Sequence, residues 1–334
     1  MQQTLTQCEG IAYAHRIPIA EDVDVCFQDA GHILGSAIVQ IYINENGQEK
    51  TLVFSGDLGN SAAALLQDPT VVKEADVVLL ESTYGDRNHR SMDETLEEFE
   101  AIIDESTADG GNILIPSSAV GRTKEILFRL GELYQKGKLR NHEVYLDSPM
   151  AIAVTEIYHR YQNIFNKEDK KEMSKASKKS LHNFLPNLHF SATTEESIEL
   201  NNIEKGVIVI AGSGMCNGGR IRHHLKHNLW RHNAHLLIVG YQAMGAPGRA
   251  LVDGASVFKV AGEEIAVNAK IHTLGGFSAH ASQSQLLDWI NNFDKHPKLY
   301  LVHGEAETKE HFKAFLAENA WAAEIPELGE SIHF

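Results

Sequence analysis

Cysteine is scarce in this chain: its 334 residues contain three, Cys8, Cys26 and Cys216, and no two of them form a CxxC pair. This scarcity excludes a disulfide framework and argues against a zinc site built from thiolates. Long apolar runs are absent too, since none approaches the roughly 20 residues that a helix needs to span a bilayer. The polar start, MQQTLTQCEG, is unlike a signal peptide. We therefore expect a cytoplasmic protein without a membrane segment.

Basic residues are also few: 30 Lys and Arg stand against 45 Asp and Glu, which gives a formal net charge of −15. A surface of that sign repels nucleic acid unless basic residues gather locally. One such gathering is GRIRHHLKHNLWRH, which contains Arg220, Arg222, Lys226 and Arg231. Hydrophobic residues make up 43% of the chain, which is enough for one large domain or two ordinary ones.

Apolar periodicity predicts an α/β fold. The first part of the chain alternates apolar and polar residues as strands do, and Asn46-Gly47 supplies a hairpin turn. SMDETLEEFEAIIDE then predicts a helix that begins with a capping box of Ser91 and Glu94. Further on, strand-like segments such as GNILIPS and GVIVIAGSG alternate with helical ones such as GRTKEILFRLGELYQKG, which predicts a mainly parallel sheet covered by helices. The lysine-rich segment 166–180 is expected to form a solvated surface helix.

Five ionisable residues share one local setting, in which an apolar segment precedes them and most of their neighbours are small. They are His32 after DVDVCFQDAG, Asp57 after TLVFSG, Glu81 after DVVLL, His280 after IHTLGGF and His303 after LYLV. The strand ends of a sheet layered with helices form a rim where functional groups converge. Histidines and carboxylates without thiolates suit zinc or a similar divalent metal. The alternative is that each is a hydrogen-bonded histidine or a capping acid, and spacing alone does not choose a reaction.

These motifs, in this order, resemble the β-CASP branch of the metallo-β-lactamase superfamily, whose members are RNA-processing nucleases. The resemblance covers essentially the whole chain and rests on DAGHILGSA, FSGDLGN, ESTYGDR, AVGRTKEIL, DSPMA, GSGMCNGGRIRHHLKHNL, GYQAMGAPGRALVDG, FSAHAS and LVHGE. It implies an α/β protein: a metallo-β-lactamase αββα sandwich with an inserted β-CASP α/β domain. The implied sandwich comprises residues 1–91 and 263–334, and the implied insert, residues 92–262, would cap the metal site and create an RNA cleft.

The resemblance also implies a role for each of the five residues. His32 and His303 would each ligate one of two zinc ions, and Asp57 would bridge both. Glu81 would orient a histidine of the site. His280 would act as the general acid, donating a proton to the leaving 3′ oxygen or stabilising charge on the scissile phosphate. Water activated by the two metals would attack phosphorus in line.

Five further residues are predicted to bind RNA phosphates. Ser213 and Gly214 lie in GSGMCNGG, where flexible backbone amides at a strand-to-helix turn can cradle an anion. Arg122 opens the helix after SSAVG, Arg220 belongs to the basic cluster, and Arg249 lies in GAPGRALVDG. The alternatives stay open, because the glycines can form a tight turn without a ligand and the arginines can be ordinary surface charges.

One motif of the superfamily is missing. HxHxDH, which supplies most ligands of the paired zinc site, does not occur before His32, where the only histidine is His15. With His32, Asp57 and His303 as its three protein ligands, a dinuclear site should bind metal weakly. We therefore expect an N-terminally truncated chain.

The leading hypothesis from the sequence is a zinc-dependent ribonuclease, a hydrolase of RNA phosphodiester bonds. A non-catalytic RNA-binding or scaffold protein of the same family is the alternative, because the predicted metal site is incomplete. A third reading is a small-substrate hydrolase with the same metal chemistry, but the long insert and its basic helix argue against it. RNA is the expected partner, and a homodimer is a further expectation.

Overall fold

The structure is a computed structural model, and it describes residues 2–61, 66–161 and 184–334. Within these ranges the chain divides into two compact units. The first unit is built from residues up to 61, 67–88 and 280–334, and the second from residues 89–279 together with a short piece ending at 66. The lysine-rich segment 166–180, predicted as a surface helix, lies outside the described residues.

The strands are, in chain order, β1 (Arg16–Ala20), β2 (Val23–Asp29), β3 (Ala37–Glu45), β4 (Gln48–Phe54), β5 (Val77–Glu81), β6 (Ile113–Pro116), β7 (Glu143–Asp147), β8 (Leu188–Phe190), β9 (Val207–Ala211), β10 (His235–Ile238), β11 (Val257–Val260), β12 (Glu263–Ala266), β13 (Lys270–Thr273), β14 (Lys298–Val302) and β15 (Ala323–Glu324). The helices are α1 (Gln2–Leu5), α2 (Met92–Asp109), α3 (Arg122–Gln135), α4 (Pro149–Arg160), α5 (Thr194–Leu200), α6 (Ile221–Asn228), α7 (Pro247–Val252), α8 (Gln283–Ile290) and α9 (Ala306–Glu318). A short 3-10 turn covers Gly275–Phe277.

The first unit contains a seven-stranded sheet in the order β1-β2-β3-β4-β5-β14-β15. Strands β1 to β4 are antiparallel neighbours, and β4, β5, β14 and β15 pair in parallel. The predicted turn at Asn46-Gly47 joins β3 to β4, and both residues have the positive φ angles, 53° and 81°, that such a hairpin requires. Because β2 and β4 are both antiparallel to β3, the carboxyl ends of β2, β4, β5 and β14 lie along one edge.

Helices α8 and α9 bury their apolar residues against this sheet. Leu286 and Ile290 of α8 and Phe312 and Leu316 of α9 belong to one buried cluster with sheet residues such as Leu80. Each of these side chains is completely buried, so burial of apolar surface is the main term that holds the strand edge in place.

The second unit contains a six-stranded parallel sheet in the order β13-β10-β6-β9-β7-β8, together with the separate β11-β12 hairpin. Residues of α2 and α3 pack in one buried cluster with β6, β7 and β9, and residues of α6 and α7 pack in another. Alternate residues of the same strands, such as Leu236 and Leu237, enter different clusters, as expected of a sheet covered on both faces. The predicted α/β class with an inserted domain is confirmed.

The second unit extends to Ala279, beyond residue 262 where the sequence places the end of the insert. It does so because β13 pairs in parallel with β10 and so belongs to the second unit's sheet. The assignment of residues 1–91, 92–262 and 263–334 to the two domain types stays a prediction.

Helix α2 begins as predicted. The Ser91 side chain accepts a hydrogen bond from the Glu94 N–H, and the Glu94 carboxylate accepts one from the Ser91 N–H. The helix ends where Gly110 adopts the left-handed conformation, φ 64°. Between these caps Phe99 is completely buried and meets Phe277 edge to face, with ring centroids 5.5 Å apart.

No helix in the described ranges has the length and apolar character that crossing a membrane would demand.

Asp147, the last residue of β7, forms a buried ionic network. Its carboxylate accepts hydrogen bonds from Arg220 Nη1 at 2.7 Å, His224 Nε2 at 2.6 Å and Ser197 Oγ at 2.6 Å. Arg220 also donates to the carbonyl of Ser191 at 2.9 Å. Burial raises the pKa of the Asp147 carboxyl, but the hydrogen bonds from His224, Ser197 and Arg220 outweigh burial and hold that pKa below its usual value.

We expect Asp147→Ala to lower the free energy of unfolding by about 3–5 kcal/mol, because Arg220 would lose its buried counter-charge. The pKa of Asp147 is lower in the folded protein than in the unfolded chain, where it is about 4. The stabilisation is therefore complete above about pH 4 and is lost as the pH falls through the folded-state value. Urea unfolding followed by circular dichroism at several pH values measures this.

The control is Asp253→Ala, whose carboxylate pairs with the partly exposed Arg249 and should contribute less than about 1 kcal/mol. If Asp147→Ala costs no more than this control at about pH 7, the network does not stabilise the second unit.

Candidate metal centre

The carboxyl edge of the first unit's sheet gathers the ionisable residues that the sequence singles out. His32 follows β2, Asp57 follows β4, Glu81 is the last residue of β5 and His303 follows β14. These four strands end at the same edge of the sheet, so residues far apart in the sequence become neighbours. The geometry depends on the parallel pairing of β5 with β14, in which Glu81 stands opposite Val302.

His280 reaches the same place from the segment that leads into α8. It forms an isolated bridge with Gly59, and the Ala281 N–H donates to the Leu58 carbonyl at 2.8 Å. A side chain at Gly59 would collide with the carbonyl of Gly31, so the loop after Asp57 and the loop before His32 pack backbone to backbone. Glycine is needed at this position for that close approach.

Asp57 lies between two histidines and presents one carboxylate oxygen to each. Its Oδ2 is 3.8 Å from His32 Nε2, and its Oδ1 is 3.3 Å from His303 Nδ1. Potential ligand atoms form two groups in which all atoms lie within 4.8 Å of one another: His32, Asp57 and His280 in one, and Asp57, Glu81 and His303 in the other. Asp57 is common to both groups, as a bridging carboxylate would be.

Glu81 is a buried carboxylate, 1% exposed, whose hydrogen bonds hold the centre together. Its Oε1 accepts from the Leu58 N–H at 2.6 Å, and its Oε2 accepts from Thr83 Oγ1 at 2.6 Å and from His280 Nδ1 at 3.1 Å. Burial raises the pKa of Glu81, but the hydrogen bonds from His280, Thr83 and Leu58 outweigh burial, and the pKa lies below its usual value. The carboxylate is therefore ionised at neutral pH and orients the His280 ring.

Thr83 is a site residue that the sequence reasoning missed. Its hydroxyl donates to Glu81, and its oxygen lies 3.2 Å from His303 Nδ1, so it links the buried carboxylate to a candidate ligand. The sequence does contain a signal for it: Thr83 comes two residues after Glu81, and in an extended chain residues two apart point to the same side.

The backbone at His303 is unusual, with φ 47°. This left-handed conformation is sparsely populated by residues other than glycine and is often found at functional positions. The His303 carbonyl accepts from the Ser82 N–H at 3.0 Å. A side chain at Gly304 would lie 2.8 Å from the Ser82 carbonyl oxygen, so the turn after β14 is packed tightly against the end of β5.

The donor set suits a divalent metal of the zinc type. Imidazole nitrogens and carboxylate oxygens are the ligands that zinc takes when thiolates are absent. His280 and Glu81 form the hydrogen-bonded histidine–carboxylate pair that commonly supports such centres. The structure thus brings together all five residues that the sequence selects, and their individual roles stay predictions.

Three of the five predicted phosphate-binding residues line one cavity in the second unit. Ser213, Gly214 and Arg220 border a space of about 510 Å³ at the carboxyl ends of β6, β7 and β9. Small neighbours such as Gly212 and Ser117 share its wall. The carboxyl ends of parallel strands are the usual place for a ligand in such a sheet.

The predicted basic contacts are weaker candidates than the sequence suggests. Arg220 is held by Asp147 and by the backbone carbonyls of Ser191 and Ala192. Arg249 pairs with Asp253 at 2.9 Å. Arg122 lies beside the backbone of Gly240 and not among the residues that line the cavity.

Two further residues of the basic cluster are also engaged within the unit. Arg222 donates to the Lys259 carbonyl at 3.2 Å, and Lys226 pairs with Glu263. A cation that is already paired gains less from a phosphate, so these contacts argue against GRIRHHLKHNLWRH as a dedicated RNA-binding surface.

Two family models match this chain. A model described as the Beta-Casp domain matches residues 123–251. A second, described as a Zn-dependent metallo-hydrolase RNA specificity domain, matches residues 264–326. The first match falls within the second unit, and the second covers Lys270–Thr273, His280 and His303.

Named relatives agree with these matches. The chain is 40% identical over 312 residues to "Ribonuclease TTHA0252" of Thermus thermophilus, covering 93% of this chain and 69% of the relative. It is 31% identical over 308 residues to "RNase J-like protein" of Methanocaldococcus jannaschii, covering 91% of this chain and 69% of the relative. It is also 30% identical over 313 residues to "Transcription termination factor FttA" of the same archaeon, covering 88% of this chain and 47% of the relative.

The shared position of Asp57 predicts that one substitution disturbs cation binding at both donor groups. We expect Zn²⁺ to raise the Tm of the chain, because a ligand that binds only the folded state stabilises it. We expect Asp57→Ala to lower the number of bound Zn²⁺ ions and to reduce this rise. Isothermal titration calorimetry and differential scanning fluorimetry measure the two effects.

Asp288→Ala, which removes an exposed carboxylate from α8 in the same unit, serves as the matched control and should bind Zn²⁺ like the wild type. Equal Zn²⁺ binding by Asp57→Ala and the wild type would contradict a metal centre around Asp57.

Proposed function

Because the chain belongs to the β-CASP family of metallo-β-lactamase-superfamily RNA nucleases, we propose that it is a zinc-dependent ribonuclease that hydrolyses phosphodiester bonds of RNA. The observation that carries the proposal is the convergence of His32, His280 and His303 around Asp57, with the buried Glu81 bonded to His280. The printed names of two relatives, a ribonuclease and an RNase J-like protein, support RNA as the substrate.

We assign His32, Asp57 and His303 as the residues that would hold two zinc ions. The two oxygens of Asp57, one facing each histidine, suit a carboxylate shared between the ions. Zinc bound there would supply Lewis acidity, which lowers the pKa of water and offsets negative charge on phosphate oxygens.

His280 is the proposed general acid. Its Nδ1 donates to the ionised Glu81, so Nε2 is the atom that would carry the transferable proton. The Glu81 carboxylate fixes the orientation of the ring, as a buried carboxylate does for the histidine of a catalytic triad. As the phosphodiester bond breaks, the proton passes from Nε2 to the leaving 3′ oxygen.

The cavity beside Ser213 and Gly214 is the proposed subsite for an RNA phosphate. Backbone amides near Gly214 are neutral donors, which tolerate the acidic total charge of the chain better than a paired arginine does. The Ser213 hydroxyl donates to Asn217 Oδ1 at 2.6 Å, so it would have to exchange that partner to donate to a phosphate. Within this proposal Arg220 acts through its bond to Asp147 and shapes the cavity, while Arg122 and Arg249 stay proposed outer contacts. The proposed compartment is the cytoplasm, and a homodimer stays a prediction that analytical ultracentrifugation would test.

The second candidate is an RNA-binding protein of the same family that does not cleave. The observation that favours it is the lack of HxHxDH in the 334 residues, which leaves three proposed ligands for two ions. This candidate predicts that the chain binds RNA as tightly as the proposed nuclease would, but that the bound RNA keeps its length over time.

We expect the purified chain with Zn²⁺ to shorten an internally labelled single-stranded RNA, and we expect His280→Ala to reduce kcat by about 10²–10⁴-fold, the usual contribution of a general acid. RNA binding by His280→Ala should stay close to that of the wild type. Gel electrophoresis and fluorescence anisotropy measure cleavage and binding. His311→Ala, which removes an exposed histidine of α9, is the control.

Cleavage that is insensitive both to chelation and to His280→Ala would overturn the proposal. Tight RNA binding without cleavage in every variant would favour the non-catalytic candidate instead, and loss of both properties from the wild type would exclude both.

Glu81→Gln tests the proposed positioning of His280. The amide keeps the size of the side chain but loses the negative charge that accepts the hydrogen bond from His280 Nδ1. We expect kcat to fall by about 10–100-fold with little change in KM. A change confined to KM would instead mean that Glu81 acts through the fold of the RNA site.

A further inference from the structure

A second cluster of potential metal ligands lies in the second unit, apart from the residues of the proposed nuclease centre. One donor atom from each of Glu105, His235 and His272 lies within 4.8 Å of the others. Neither family resemblance nor the proposed function assigns these residues. His235 is completely buried, His272 is half-buried and Glu105 is exposed, so the cluster opens to solvent on the Glu105 side.

The two histidines meet because of the strand register. Strand β10 pairs in parallel with β13, with His235 opposite Lys270 and Leu237 opposite His272. His235 and His272 therefore project from the same face of the sheet on adjacent strands. Their rings are nearly parallel, at 6°, and His235 Nδ1 lies 3.0 Å from His272 Nε2.

This distance fits a shared cation. Two nitrogens on one tetrahedral zinc are about 3.3 Å apart, because each Zn–N bond is about 2.0–2.1 Å. The observed separation needs to widen by only a few tenths of an ångström. In the structure this contact is a hydrogen bond between the two rings, so a metal ion would replace the proton between them and His272 would carry its remaining proton on Nδ1.

Asp109 contacts the other nitrogen of the His235 ring. Its Oδ2 lies 3.1 Å from His235 Nε2. A carboxylate at one ring nitrogen places the proton there and directs the lone pair of the other nitrogen outward, which is the usual setting of a metal-binding histidine. Here that other nitrogen is Nδ1, the one that faces His272.

The end of α2 supplies a second, independent reason for a cation. Glu105 and Asp109 are one helical turn apart in the last two turns of this helix, and its last turn contains no basic residue. Carboxylates at a helix C-terminus are unfavourable because the helix dipole is negative there. A positive charge held between this helix end and the two strands would offset the two carboxylate charges and the negative end of the helix dipole.

Lys270 provides part of that charge in the structure. Its Nζ lies 2.6 Å from Glu105 Oε1 and 2.7 Å from Asp109 Oδ2. It competes with a metal for Glu105, but its flexible and partly exposed side chain can move aside. One lysine leaves the two carboxylates with a net charge of about −1.

We propose that Glu105, His235 and His272 form a structural site for a single divalent cation of the zinc type, which pins the C-terminal end of α2 to β10 and β13. Three protein donors leave a coordination position for water on the exposed side. The site stabilises the second unit and takes no part in RNA cleavage. A failure of the proposed nuclease function would therefore leave this proposal untouched.

The test uses the full chain carrying Asp57→Ala, which removes the shared ligand of the first unit's centre. In this background we expect one Zn²⁺ per chain by isothermal titration calorimetry. We expect Co²⁺ to give visible absorption bands of a four-coordinate site with nitrogen and oxygen ligands. Adding His272→Ala should weaken Zn²⁺ binding by at least about tenfold and abolish the Zn²⁺-dependent rise in Tm.

Two further variants separate a metal site from a purely structural histidine pair. Lys270→Met removes the competing cation and should tighten Zn²⁺ binding several-fold, an effect that loss of structure cannot produce. His223→Ala removes an exposed histidine of α6 and should leave the binding unchanged. The proposal is overturned if the Asp57→Ala chain binds no Zn²⁺, if His272→Ala binds it equally well, or if Lys270→Met weakens it.

Discussion

The buried carboxylate of Glu81 is the group on which the candidate metal centre depends. A charge that is 1% exposed persists only when hydrogen bonds compensate for lost hydration. Its partners are the Leu58 N–H, the Thr83 hydroxyl and the His280 ring. Each partner belongs to a different part of the site: Leu58 follows Asp57, and Thr83 contacts His303. One ionised group therefore contacts His280 directly and the neighbours of Asp57 and His303, so a change at Glu81 affects three of the other four ionisable side chains.

The same principle organises the second unit around Asp147. This fully buried carboxylate binds Arg220, His224 and Ser197, and it borders the cavity that contains Ser213. In both units a carboxylate at the end of a parallel strand is buried and paired, and polar groups gather around it. Parallel strands place their carboxyl ends together, and the backbone groups there are not all consumed by the sheet. This is why functional groups concentrate at those two edges.

The electrostatics of the second unit revise the interpretation of its basic residues. The sequence shows a run of cations in an acidic chain and so suggests an RNA-binding patch. The structure pairs Arg220 with Asp147, Lys226 with Glu263 and Arg249 with Asp253. A count of local charges cannot show the first two pairs, because Asp147 and Glu263 lie far from Arg220 and Lys226 in the sequence. A phosphate contact from any of these three cations would require it to exchange its partner.

Local patterns by themselves determined much of this protein: the Asn46-Gly47 hairpin, the capping box of α2 and the parallel α/β rhythm were all readable, because turn chemistry and periodicity act over a few residues. The five residues of the centre were readable as a set, because an apolar segment precedes each of them and most of their neighbours are small. Only the tertiary structure decided that Thr83 joins them, that Arg220 faces inward, and that Glu105 meets His235 and His272. These contacts depend on strand register and on which helix covers which face, which are set by packing between segments distant in sequence.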